Sequence, residues 1–148
     1  MNNEKDNVYD LVEDFYAHDE GWNTLLRQEY AEGFLRMEAW KGKKNSDLYR
    51  SWDNLTMLCL YLGSAETFLG DMNADDFIDC IAWCGRNISE FTPDYKNTQD
   101  FLETCDGLFK YLKGKNAISN DTVPGTAAEI LLQEGKMNII LPDGSFDE

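Results

Sequence analysis

Four cysteines, one histidine and 28 acidic side chains are what this chain of 148 residues offers for chemistry. Cys80 and Cys84 stand four apart, so a helix would put both thiols on one face. A zinc site needs four ligands, usually with a pair of cysteines that have two residues between them, and His18 is the single histidine. Cys59, Cys84 and Cys105 fall in register with apolar stripes. All four are therefore read as small buried hydrophobes in a reducing compartment, and no metal or cofactor is expected. Asp75-Asp76-Phe77-Ile78-Asp79 places its first and last carboxylates near one another on a helix, a spacing that can hold magnesium on a pyrophosphate. The same acids suit the positive end of a helix dipole, which is the reading adopted. Asp14 and His18, four apart, have the spacing of an acid/base pair, but no nucleophile is placed for them. No Gly-rich phosphate loop, GxSxG or HExxH occurs.

Two aromatics lie off the apolar stripes. Trp83 falls between Asp76 and Asp79 on its helix, and Tyr111 lies outside the stripe of the last long helix. An aromatic on a polar face is a candidate interaction anchor, and these two are the candidate interaction residues. The competing reading is that the N-terminal helices cover them.

The elements that must position these groups are mostly helical. Asn7 to His18 is amphipathic, with Val8, Leu11, Val12 and Phe15 on one face. Trp22 to Trp40 is expected to be a second helix, with Gly33 a weak point, followed by the basic linker Lys41-Gly42-Lys43-Lys44-Asn45. Ser46 opens a helix that Gly63 ends. Asn73 caps the next, Ala74–Arg86, with Met72 and Phe77 placed for a hydrophobic staple. Thr92-Pro93 starts another, stopped at Gly114. Asn116 to Gly125 is expected as a loop, and Thr126 to Glu129 as a capping box before a short helix that Gly135 stops. Met137–Leu141 reads as a strand, then a turn at Pro142–Ser145. A lone strand needs a partner: Gly33–Ala39 is the other plausible strand, and a homodimer through this C-terminal strand is the alternative.

Ser46–Leu62, Phe68–Phe77 and Thr92-Pro93 through Leu108-Phe109-Lys110-Tyr111-Leu112 resemble the N-terminal core-binding, SAM-like domain of tyrosine recombinases and phage integrases. The resemblance covers 75 of 148 residues. It implies a SAM-like helical core and a bacterial or phage, mobile-element setting. The sequence also departs from the family. Asp94 stands where the family often has a basic residue, and Ser46–Asn120 carries 12 acidic and 6 basic residues, the wrong sign for a phosphate backbone. The 28 residues after Asn120 are too few for the family's catalytic domain. The Asp75–Asp79 string is similar to the metal motif of all-helical isoprenoid synthases, which need a second acidic site that is not evident here. Glu29/Glu32 and Glu103/Asp106 resemble the ExxE and ExxD motifs of all-helical nucleotide pyrophosphohydrolases, but 70 residues separate the two pairs instead of a short loop.

The fold expectation is thus mainly α: one domain over 1–148, with N-terminal helices over 1–42, a SAM-like helical core over 46–120, and a helix and strand over 126–148. Hydrophobics at 43% and a net charge of −15 fit a folded, acidic protein and disfavour contact with DNA or anionic membranes. No apolar run approaches the roughly 20 residues of a membrane span. The N-terminus lacks the basic and apolar regions of a signal peptide, so the cytoplasm is expected. The functional expectation is a noncatalytic interaction or regulatory domain with a protein partner. The alternatives are an acidic decoy or inhibitor of a nucleic-acid-binding protein, a helical magnesium-dependent pyrophosphate-cleaving enzyme, and residual DNA binding through Lys41, Lys43, Lys44 and Arg50.

Overall fold

A computed structural model describes residues 7–89, 91, 92 and 94–133 of the chain. Six α-helices account for most of them: α1 Val8–His18, α2 Gln28–Trp40, α3 Asn45–Ala65, α4 Ala74–Asn87, α5 Tyr95–Gly114 and α6 Val123–Gln133. Short 3-10 turns occupy Glu20–Thr24 and Leu69–Asp71. The mainly helical expectation holds at this level. The expected strand at Met137–Leu141, the turn after it and the stop at Gly135 lie outside the described residues. Gly33–Ala39, the other candidate strand, is interior to α2.

Helix α3 is the hub. It packs against α1, α2, α4 and α5, while α6 closes on α4 and α5. This is why its second half is apolar all round: Leu55, Leu58, Cys59 and Leu62 are fully buried. One hydrophobic cluster runs from Val8 and Val12 of α1 through α3 to Ala127 and Leu131 of α6.

The helix ends follow local chemistry, in places differently from expectation. Asn73 caps α4 as expected: its Oδ1 accepts from the Asp76 amide at 2.9 Å, and the Asp76 carboxylate accepts from the Asn73 amide at 2.8 Å. The helix expected from Trp22 is broken. Asp19 caps the 3-10 turn through the Gly21 amide, and the Asn23 Oδ1 takes the Gln28 amide at 2.9 Å, so α2 starts at Gln28. α3 starts one residue before Ser46, at Asn45, with the Asp47 carboxylate accepting from the Lys44 amide. It also runs past Gly63 to Ala65 and ends at Glu66, whose φ of 55° is left-handed. Gly63 lies inside the helix beside the Trp22 ring, at a distance where a Cβ would make an ordinary contact of 3.5 Å. At α5 the cap is Asp94, not Thr92: the Asp94 carboxylate accepts from the Asn97 amide at 2.8 Å. Likewise α6 starts at Val123 rather than Thr126. Asn120 accepts from the Thr122 amide ahead of it, and Thr126 lies inside the helix, its hydroxyl donating to the Thr122 carbonyl.

Candidate functional site

Trp52, Asp53 and Asn54 are consecutive on α3, and each takes part in a different arrangement. Trp52 is buried beneath an aromatic hollow. Its ring meets Phe15 edge-on, with centroids 5.4 Å apart and planes at 87°. Trp22, carried by the 3-10 turn, stacks on Phe15 at 4.8 Å with planes only 17° apart. Leu11, Asp14, His18 and Asp53 complete the lining of this open hollow of about 550 Å³.

Asn54 faces the other way. Its Nδ2 donates to the Thr104 hydroxyl at 2.9 Å and to the Asp100 carboxylate at 3.2 Å, tying α3 to α5. Arg50 lies 3.8 Å from Asp47 and 4.0 Å from Asp100. Beside this network runs a groove of about 520 Å³, with Met57, Leu60, Ile88 and Phe91 as its apolar wall. Asp53 lines both hollow and groove. Partial burial raises its carboxyl above the usual value.

The candidate anchors take separate positions. Trp83 is half-buried on α4, its ring edge-on to Tyr61 of α3 at 6.0 Å. Tyr111 is half-buried on α5 beneath α2. Its ring meets Phe34 at 6.3 Å, and a Cβ at Gly33 would fall 1.9 Å from its hydroxyl oxygen. The exchange is mutual, because Gly107 of α5 gives way to the Phe34 ring, which a Cβ there would meet at 3.2 Å. Among the described residues, two large aromatics face solvent: Phe68, 55% exposed, and Trp40, 91% exposed at the end of α2 next to Lys41 and Lys43. Sequence reasoning named Trp40 only as the end of the helix expected from Trp22 and gave it no role. Its place one step before a Lys-Gly-Lys-Lys run was the available signal.

The four cysteines are buried and free. They gather in one region of the core: Cys80 hydrogen-bonds Cys84, and Cys105 lies near both Cys84 and Cys59. Burial pushes the Cys59 thiol up to about 12 and raises those of Cys80 and Cys105 well above the ordinary value, so they stay protonated. Among the described residues, no group of three or more His, Cys, Asp or Glu is arranged to hold a metal ion. Asp76 is engaged in its cap, while Asp75 and Asp79 are exposed. Helices α2 and α5 do pack together, yet their acids contact neighbours nearby in sequence: Glu29 with Arg27, Glu32 with Gln28 and Arg36, Glu103 with Gln99, and Asp106 with Lys110. No described helix is long and apolar enough to cross a membrane.

No protein-family model, curated protein or solved structure matches the chain.

Proposed function

We propose that this chain is a noncatalytic interaction or regulatory domain of the cytoplasm, built on a SAM-like helical core of mobile-element origin, that binds a protein partner. The order of α3, α4 and α5 supports the SAM-like reading, since these helices occupy the stretch that resembles the integrase core-binding domain. The interaction reading is carried by Trp40. A 91% exposed indole contributes little to its own fold, and tryptophan is the residue type most enriched where partners bind.

Affinity capture from nuclease-treated native cytosol, washed at rising salt, tests the reading. A near-stoichiometric partner is expected, and Trp40→Ala is expected to weaken it by about 2 kcal/mol, the size of a hot-spot loss. That substitution touches no core contact, so a lost partner would not reflect a lost fold. Recovery of no partner overturns the reading.

The exposed acids Glu13, Asp14, Asp19 and Glu20 favour a second reading, the acidic decoy of a nucleic-acid-binding protein. Its complex would dissociate between low and moderate salt, because exposed charges are screened over about 10 Å at 0.1 M ionic strength. A partner that resists salt argues for the apolar contact instead.

A further inference from the structure

We infer that the aromatic hollow between α1 and α3 is a receptor for an arginine side chain on a basic partner segment. The inference deepens the interaction reading and rests on it.

Three features converge in the hollow. Phe15 stacks nearly parallel on Trp22 and meets the buried Trp52 edge-on, so the three rings, with the outer faces and edges of the stacked pair, form an apolar surface of fixed geometry. Asp14 and Asp53 lie on its rim, and among the described residues neither is in an ion pair. Arg50, the cation nearest Asp53 along α3, is directed to Asp47 and Asp100. Asp53 is also partly desolvated, so an arriving cation gains from it. A carboxylate rim around aromatic faces is complementary to a planar cation. Guanidinium stacks on rings and donates sideways to carboxylates, whereas ammonium holds its hydration more strongly. Glu13, Asp19 and Glu20, exposed close by in sequence, add to the negative field of this end of the chain. Arginine is therefore the occupant, with the rest of the partner lying over the acidic face.

The test uses the full chain labelled with nitrogen-15, in which the four tryptophan indoles give separate reporters. The probe is the capped peptide Gly-Arg-Gly-Gly-Arg-Gly, and its citrulline counterpart is the uncharged control. The arginine peptide is expected to shift the Trp22 and Trp52 indoles in a saturable way while leaving Trp83 in place. Asp14→Asn and Asp53→Asn should each weaken the apparent affinity several-fold, and the citrulline peptide should leave the spectrum unchanged. Both acids are exposed, so these variants keep the fold, which unmoved core methyl signals would verify. If Trp22 and Trp52 do not shift, or citrulline acts as well as arginine, the inference is overturned. A shift confined to Trp40 or Trp83 also overturns it but leaves the interaction reading standing. Capture of no cellular partner, by contrast, overturns that reading without reference to this hollow.

Discussion

Gly33 shows how a residue's role can be invisible in its own stretch of sequence. Within a helix, glycine is unfavourable by roughly 1 kcal/mol against alanine, and Gly33 reads as a weak point. The structure gives it a tertiary purpose, since its missing side chain is the seat of the Tyr111 hydroxyl. Gly33→Ala should therefore be destabilising, by about 1 kcal/mol net, because the Tyr111 ring must leave its place against Phe34. In a Tyr111→Ala background the same substitution should become stabilising by up to about 1 kcal/mol, as only helix propensity remains. Urea unfolding of the four variants measures this coupling. The same sign in both backgrounds would show that the two residues do not meet. Tyr111 was legible as an aromatic off the main stripe. Its partner was not, because an absent Cβ leaves no periodic signal.

Element boundaries were legible where a single side chain settles them and illegible where two compete. Asn73 has one capping geometry available, and the four residues from Asn73 to Asp76 contain the whole device. Thr92 and Asp94 are both good caps two residues apart, and the proline rule favours the first. The charged carboxylate of Asp94 takes the role because it also interacts with the helix dipole. Asn73→Ala and Asp94→Ala should each cost about 1 kcal/mol, while Thr92→Ala should be close to neutral. Chemical denaturation distinguishes these values, and an equal loss at Thr92 would return the cap to that position. The six helices and most core positions followed from periodicity. The break at Leu25–Arg27 did not, since it depends on Asn23 reaching the Gln28 amide five residues on. The hollow was legible only in part: Phe15 was on a core face and the acids of the first helix were evident. Its assembly needs α3 to bring Trp52 and Asp53 beneath Phe15, and pairing between distant elements leaves no mark in local spacing.

At the scale of the whole molecule, the buried thiols and phenols make stability a function of alkaline pH. Cys59 is held up at about 12, Cys80 and Cys105 well above their ordinary range, and Tyr61 at about 12, in each case chiefly by burial. In the unfolded chain these groups release their protons near 8.5 for cysteine and about 10 for tyrosine. Below those values both states are protonated and the contribution to stability is complete. Above them the unfolded chain loses protons that the folded chain retains, so stability falls until the folded values are reached. Each group can remove about 1.4 kcal/mol per pH unit in that window. The three thiols shift in the same direction, so their losses reinforce one another. The net charge of −15 adds to the effect, because every further ionisation enlarges an existing self-repulsion. The melting temperature followed by circular dichroism should thus fall steeply from about pH 9 upward, on the cysteine scale. Cys59→Ala should melt lower at pH 7 but with a shallower alkaline slope, since one titrating thiol has been removed. A melting temperature that stays level from about pH 8.5 to 10.5, across the unfolded thiol range, would mean that the cysteines are not sequestered in the core.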